Sequence, residues 1–354
     1  MPTDAVPAPP RLRIAVLGAG SIGCHLGGML AAVADVTLIG RPAAMDEIGR
    51  LGLTLTGPGE ARREIDDLTL ATDAAAAAAA DWVLVAVKSN DTAAAARDLA
   101  GHLAPGTVVA SFQNGLHNPR VLRAGLPGRR VLAGMVPYNV VRTGPAAFHQ
   151  GSGGQVMLDA GGPAAGGGSD GDGLAAAAAA AGLRLELRRD MAAVQAAKLL
   201  MNLNNAVNAL SGLPLREQLG GRHYRACLAR CQREALAAFR AAGVRPARLG
   251  PVPPAWTPAV LRLPDGLFRR LAGASLRIDG QARSSMWEDL QRGRTTEIDT
   301  LQGEIVTLAG QFGLAAPANA RLVELVREAE TAAAGTARRW SGRDLLAELT
   351  GAAG

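Results

Sequence analysis

A glycine-rich stretch near the N-terminus constrains the fold more than any other feature of this sequence. The short apolar run of residues 11–17 leads directly into Gly18-Ala19-Gly20-Ser21-Ile22-Gly23, which a helical pattern and a second strand-like run at 35–39 follow. A strand, a G-x-G-x-x-G turn, a helix and a strand in this order are typical of a dinucleotide-binding unit. Because glycines let backbone N–H groups approach a pyrophosphate at a helix N-terminus, the stretch predicts a nucleotide site rather than an ordinary turn.

The end of the second strand bears on which dinucleotide binds. The strand runs into Gly40-Arg41-Pro42, and the next carboxylate is Asp46. An NAD enzyme usually places an acidic residue here to accept hydrogen bonds from the ribose 2′-hydroxyl, whereas a guanidinium suits a 2′-phosphate. The sequence therefore favours NADPH (the NADP cofactor pair) over NADH. The alternative is that Arg41 is a solvated residue at a strand end.

Two polar positions follow predicted buried strands. The continuous apolar run 81–87 ends at Lys88, and the strand-like run 107–112 ends at Gln113-Asn114-Gly115. Ligands of open α/β sheets bind at the carboxyl edge of the parallel strands, so Lys88 and Asn114 are candidate site residues. Taken alone, Asn-Gly after a strand is more commonly just a turn.

The succession of patterns predicts two domains in an α/β chain. A Rossmann-type doubly wound domain is expected over residues 1–188 and an all-helical domain over 189–354. In the first domain we expect further helices at 73–80, 91–103 and 174–181, strands at 131–141, 148–150, 155–158 and 183–187, and a surface loop at 161–173. In the second we expect helices at 191–210, 224–242, 258–272, 296–312 and 320–334, followed by a helix or tail at 340–354.

Composition excludes several classes of function. The net charge of +6 is spread thinly and aromatic residues are 3%, which argues against a nucleic-acid site. Three cysteines do not make a disulfide framework and favour a reducing, cytoplasmic location. Neither a signal-peptide pattern nor an apolar run long enough to cross a membrane is seen. We therefore expect a small-molecule partner, with the oligomeric state left open and a homodimer among the alternatives.

Lysine is rare in this chain, because Lys88 and Lys198 are the two lysines among 37 basic residues. Burial can lower the pKa of an amine until it exchanges a proton near neutral pH, whereas a guanidinium stays charged, so both lysines are candidate catalytic or binding residues. The alternative is codon bias, with two lysines left by chance. In the predicted helix 191–210, Lys198, Asn202 and Asn205 have the spacing of one stripe. Buried amides need partners, and a polar ligand would supply them; a polar surface face is the alternative.

Six stretches carry a resemblance to a known family: Gly18-Ala19-Gly20-Ser21-Ile22-Gly23, Val87-Lys88, Gln113-Asn114-Gly115, Lys198-Leu199-Leu200-Met201-Asn202, Ser284-Ser285-Met286 and Thr296-Glu297-Ile298-Asp299. The resemblance is to the ketopantoate reductase (2-dehydropantoate 2-reductase) family and covers the region from the glycine loop to about residue 330. It implies reduction of the C2 ketone of a 2-oxo acid with NADPH, which makes pantoate for pantothenate and coenzyme A synthesis.

The resemblance also implies residue roles. The glycine loop would hold the pyrophosphate, Arg41 the 2′-phosphate, and Lys88, Asn114 and Glu297 would contact the cofactor. Lys198 would be the general acid, with Glu297 positioning it. The substrate would be held by Asn114, Asn202, Asn205 and Ser285.

Two departures from the family pattern concern substrate recognition. Ala206 and Ala282 stand where the family has asparagines, and Asn205 is one position early. A reductase of another 2-oxo acid and a non-catalytic nucleotide-sensing relative therefore remain alternatives. His223, Cys227 and Cys231 share a helical spacing, but a fourth zinc ligand is not evident nearby, so we predict no metal site.

Overall fold

The computed structural model describes residues 11–59, 61–163, 168–272 and 282–351. The chain divides into two compact units. The first comprises the described residues of 1–113 and 118–189, and the second comprises 114–117 and those of 190–354. Within the described ranges, no helix is both long and apolar enough to cross a membrane.

The first unit is built on strands that alternate with helices. Its strands are β1 (Arg13–Leu17), β2 (Asp35–Ile39), β3 (Leu53–Thr56), β4 (Arg63–Ile65), β5 (Thr69–Ala71), β6 (Trp82–Val85), β7 (Val108–Ser111), β8 (Arg130–Met135), β9 (Val140–Gly144), β10 (Ala147–Gln150), β11 (Val156–Asp159) and β12 (Leu185–Arg188). Its α-helices are α1 (Ser21–Leu30), α2 (Pro42–Leu51), α3 (Thr92–Ala100), α4 (Asn118–Gly125) and α5 (Asp172–Ala180).

Most strands form one large sheet in the order β12-β11-β8-β7-β6-β1-β2-β5. Its pairs are parallel except that of β8 with β11, and β6 and β7 are buried along their whole length. The remaining strands form a small sheet in the order β4-β3-β10-β9. The predicted Rossmann-type α/β fold is therefore confirmed, and the second sheet is an addition that the sequence did not indicate.

Several predicted elements of the first unit have different bounds. The strand predicted over 131–141 is two strands in different sheets, β8 and β9, separated by Pro137, which cannot donate a ladder hydrogen bond. The alanine-rich segment 73–80 is only a 3₁₀ turn, Ala74–Ala77, capped by the Asp73 carboxylate (2.8 Å to Ala75 N). Of the predicted loop 161–173, residues 164–167 lie outside the described residues and α5 already begins at Asp172.

The second unit is helical, as predicted. Its α-helices are α6 (Met191–Asn202), α7 (Asn204–Ser211), α8 (Leu215–Gly220), α9 (Arg222–Ala241), α10 (Thr257–Leu261), α11 (Asp265–Ala272), α12 (Ser285–Gln291), α13 (Ile298–Gln311), α14 (Pro317–Glu330) and α15 (Gly342–Gly351). The apolar face of α9 forms the centre of the core, against which α10, α13, α14 and α15 pack. The predicted tail is α15, which buries Leu345 and Leu349 in this core.

Two long predicted helices are divided. The helix expected over 191–210 breaks at Leu203 into α6 and α7. At this break, the buried amides of Gln232 and Gln302 donate to the main-chain carbonyls of Leu200 (3.0 Å) and Leu203 (2.8 Å). Side chains that bond to the carbonyl ladder are a recognised cause of such breaks. The helix expected over 258–272 divides before Pro264, because a proline disfavours helical conformation in the residue that precedes it.

Arg225 joins α9 to the neighbouring helices from inside the core. Its side chain is fully buried, donates to four main-chain carbonyls and to Asp265 (2.7 Å), and lies 4.2 Å from the Phe268 ring centre. These carbonyls are those of Leu219, Gly220, Leu261 and Leu263. A single guanidinium thus satisfies carbonyls from the segment that precedes α9 in the sequence and from a segment that follows it.

We expect Arg225→Met to lower the free energy of unfolding by at least about 2 kcal/mol, because it removes all five hydrogen bonds that the buried guanidinium donates. Arg233 is exposed on the same helix, and Arg233→Met is the matched control, with an expected change within about 0.5 kcal/mol. Urea unfolding followed by circular dichroism measures both. Equal stability of the two variants would contradict the assignment of Arg225 as a core-joining residue.

Candidate active site

The turn between β1 and α1 requires glycine at two places. Gly18 has φ +112°, and a Cβ there would lie 2.6 Å from the main-chain nitrogen of Val87, just past the end of β6. A Cβ on Gly23 would lie 2.0 Å from the Gly18 carbonyl oxygen. Both distances are too short for any side chain, so the turn packs against its neighbours as only glycine allows.

Gly20 has no such crowding. It is the residue that precedes α1, its backbone is extended, and a Cβ placed on it meets no atom within 4 Å. No side chain caps this end of α1 among the described residues. The first N–H groups of a helix carry partial positive charge, so the turn offers an anion both donors and space.

Arg41 and Lys88 follow strands of the same sheet. Arg41 is exposed, is separated from the end of β2 by Gly40, and immediately precedes α2. Lys88 is half-buried and follows β6. The chain around Lys88 is held by buried polar groups: Gln113 Nε2 donates to the Val87 carbonyl (3.2 Å) and to Thr92 Oγ1 (2.7 Å). The structure thus fixes the main chain beside Lys88 through the residue that precedes Asn114.

In the second unit, three of the predicted residues are joined by hydrogen bonds. Asn202 Nδ2 donates to Asn114 Oδ1 (3.1 Å), and Asn114 Nδ2 donates to Glu297 Oε2 (2.9 Å). Asn202 is the last residue of α6 and is buried, and Glu297 immediately precedes α13. Each amide donates to the next group, and the series ends at a carboxylate, which can only accept. Both amides therefore have one defined orientation.

The segment that carries Asn114 has a second attachment, through a carboxylate that was not predicted from the sequence. Glu304 Oε2 accepts from the Leu116 main-chain nitrogen (3.0 Å) and lies 2.9 Å from His117 Nδ1. Glu297 and Glu304 are seven residues apart, two helical turns, so both carboxylates face this segment. The seven-residue spacing from Glu297 is the sequence feature from which Glu304 could have been predicted.

The helix predicted over 296–312 would place Glu297 inside its first turn. In the structure Glu297 is the residue before α13, and Thr296 Oγ1 accepts from the Ile298 N–H at the start of this helix (3.2 Å).

Lys198 lies one turn before Asn202 on α6, on the same side of the helix. Burial lowers the pKa of the Lys198 amine from 10.5 to about 8. At pH 7 an amine with this pKa is still about nine-tenths protonated. It is therefore charged, yet a much better proton donor than a solvated lysine.

Asn204 and Asn208, two further buried asparagines that follow Lys198 in the sequence, have protein partners. Asn204 exchanges hydrogen bonds with Gln218 (3.1 and 3.2 Å). Asn208 donates to the Leu213 carbonyl (2.9 Å) and accepts from the Ser284 main-chain nitrogen (2.9 Å). These amides hold α7 to its surroundings and are structural.

Asn205 and Ser285 lie on elements other than α6. The break at Leu203 places Asn205 in α7, so it does not continue the helix of Lys198 as predicted. Ser284 caps α12 through Trp287 N (3.2 Å) and donates to the Asn205 carbonyl (3.2 Å), whereas Ser285 is exposed. Ala206 is fully buried in the apolar core.

The helix α9 bears the three residues considered for a metal. Cys227 and Cys231 are buried, and burial raises the pKa of the Cys227 thiol to about 12 and that of Cys231 well above its usual value. His223 is exposed. In the described part of the chain, no group of three or more His, Cys, Asp or Glu residues could hold a metal ion.

Comparison with known proteins covers both units. The profile described as "Ketopantoate reductase PanE/ApbA" matches residues 14–162, and that of its C-terminal domain matches residues 190–330. The chain is 30% identical over 322 residues to the 2-dehydropantoate 2-reductase of Halobacterium salinarum, covering 90% of this chain and 99% of that protein.

Solved structures give the same result. A PanE/ApbA family ketopantoate reductase from Ralstonia eutropha JMP134 superposes with a TM-score of 0.76 at 32% identity, covering 90% of this chain and 98% of that one. A D-mandelate dehydrogenase solved with NADH and anilino(oxo)acetate has a TM-score of 0.73 at 20% identity, over 90% of this chain and 98% of its own, and shows the shared fold alone. Family profiles match both units, and a relative with 30% identity aligns over 90% of this chain. The chain therefore belongs to the ketopantoate reductase family of pyridine-nucleotide-dependent oxidoreductases.

Proposed function

We propose that this protein reduces 2-dehydropantoate to pantoate with NADPH, with Lys198 as the proton donor. The product would enter pantothenate and coenzyme A synthesis. The observation that carries the proposal is the Lys198 amine, whose pKa burial lowers to about 8, one turn from an asparagine that is hydrogen-bonded through Asn114 to Glu297. Family membership supports the reaction class.

The first unit suits the cofactor. The open space above Gly20 and the uncapped start of α1 fit a pyrophosphate, and Arg41 follows β2 where a ribose phosphate would be recognised. Lys88, Asn114 and Glu297 would make further contacts. When bound, the nicotinamide supplies the hydride that adds to C2 of the substrate.

The second unit supplies the proton. As C2 is reduced, its oxygen gains negative charge, which the Lys198 ammonium stabilises and then neutralises by giving a proton from Nζ. Arginine could stabilise the charge but is too weak an acid to give the proton. Glu297 fixes the orientation of the Asn114 amide, whose carbonyl in turn holds the Asn202 amide. Asn202, Asn205 and Ser285 would bind the hydroxyl and carboxylate of the substrate.

We expect Lys198→Ala and Lys198→Arg to lower kcat for 2-oxo acid reduction by about 10²–10⁴-fold, because neither side chain can donate the proton. The wild-type kcat/KM for reduction should be constant below about pH 8 and fall above it, since the amine must be protonated. Oxidation of the hydroxy acid needs the neutral amine, so its kcat/KM should rise through the same pH.

Steady-state rates between pH 6 and 10 measure both profiles. Lys88→Arg serves as the comparison, because it changes the other lysine and should keep the change of slope near pH 8. Turnover of Lys198→Ala within tenfold of wild type would exclude Lys198 as the proton donor.

Arg41 should determine the choice of cofactor. We expect Arg41→Ala to raise the KM for NADPH by about 10–100-fold, the value of a lost hydrogen bond to a charged group, with little change for NADH. Arg50 is exposed in the last turn of α2, and Arg50→Ala is the matched control that should change neither value. A wild-type preference for NADH, or equal losses with both cofactors, would contradict recognition of the 2′-phosphate by Arg41.

A reductase of a different 2-oxo acid is the second candidate. It is favoured by Ala206 and Ala282, which occupy positions where the family has asparagines, and Ala206 is fully buried in the core. We expect 2-dehydropantoate to have at least about tenfold higher kcat/KM than pyruvate, 2-oxoisovalerate or phenylglyoxylate, one lost hydrogen bond being worth about that much. A higher kcat/KM with another acid would make that acid, and not 2-dehydropantoate, the substrate. Lack of turnover with every acid would favour a non-catalytic nucleotide-sensing protein.

A further inference from the structure

Gln195 is a buried amide whose N–H₂ group has no hydrogen-bond partner among the described residues. The residue is 8% exposed and lies in the middle of α6. A buried donor left unpaired is destabilising and rare in folded proteins, where buried polar groups are nearly always satisfied. Such a group is expected where a ligand or an ordered water completes it.

Other buried amides of the second unit do not share this feature. Gln232, Gln302 and Asn319 each have an unpaired carbonyl oxygen, but their N–H₂ groups donate to main-chain carbonyls at 2.8–3.2 Å. An oxygen with unused lone pairs is the commoner situation, and an unpaired donor the rarer one. Gln195 therefore differs from amides whose role is to hold helices together.

The position of Gln195 on α6 relates it to the proposed proton donor. Gln195, Lys198 and Asn202 follow at i, i+3 and i+7 and span about 60° of the helix circumference. Ala196, Leu199 and Leu200, which pack into the apolar core, occupy the adjoining face. Because α6 is unbroken from Met191 to Asn202, this stripe is more regular than the predicted one that included Asn205.

We infer that Gln195 is a substrate-binding residue whose Nε2 donates to the carboxylate of the 2-oxo acid. The inference rests on the proposed function and extends it, since it adds a carboxylate donor in a chain that has alanine at 206 and 282. A carboxylate is favoured because a charged acceptor repays the burial of a donor better than a neutral one. The positive charge of Lys198, one turn away, would attract the same anion.

Binding of 2-dehydropantoate to the enzyme–NADP⁺ complex, measured by titration calorimetry, tests the inference without requiring turnover. We expect Gln195→Met, which keeps the volume but removes the donor, to weaken this binding by about tenfold or more. Gln195→Glu should weaken it further, because its carboxylate repels the anion. In Gln195→Met the Kd for NADP⁺ should be unchanged, and the urea midpoint should not fall.

Gln232→Met is the matched control, because its amide donates to the Leu200 carbonyl (3.0 Å); it should lower the urea midpoint and leave substrate binding unchanged. Unchanged 2-oxo acid binding in Gln195→Met, with equal or greater stability, would overturn the inference in favour of a bound water. A change confined to the Kd for NADP⁺ would overturn it in favour of the nicotinamide amide. Wild-type turnover in the same preparation tests the proposed function separately.

Discussion

Two hydrogen bonds bring together stretches of the chain that are 88 and 183 residues apart, and the candidate site depends on them. Asn202 donates to Asn114, and Asn114 donates to Glu297. Because each amide has one donor and one acceptor end, the carboxylate at the end of the series determines how both amides are turned. Glu304 holds the same segment two turns further along α13. Lys198, one turn from Asn202, thereby has neighbours of defined orientation.

Local patterns in the sequence predict much of this structure. The glycine loop, the buried strands and the change from mixed to helical structure follow from short-range periodicity, and they were confirmed by the fold. The oddity of Lys198 in an arginine-rich chain agrees with an amine whose pKa burial lowers to about 8. Its place after a predicted buried strand selected Asn114, and the family resemblance selected Glu297; the hydrogen bond between these two residues was not predicted.

The remainder depends on partners that are distant in sequence. Leu203 divides a helix that looks continuous, because Gln232 and Gln302 bond to carbonyls at the break. The four asparagines after Lys198 look alike in sequence, yet Asn204 and Asn208 are satisfied by protein groups, which only the packing of α7 reveals. An unpaired donor cannot be read from sequence at all, since it is defined by what fails to surround it.

The central claim is that the Lys198 amine gives its proton to the substrate oxygen. A crystal structure of the enzyme with NADP⁺ and 2-dehydropantoate tests it most directly. We expect Lys198 Nζ within about 3 Å of the C2 ketone oxygen, the range of a proton-donating hydrogen bond. A ketone oxygen bound by another donor, with Lys198 Nζ beyond about 5 Å and no water between them, would contradict the claim.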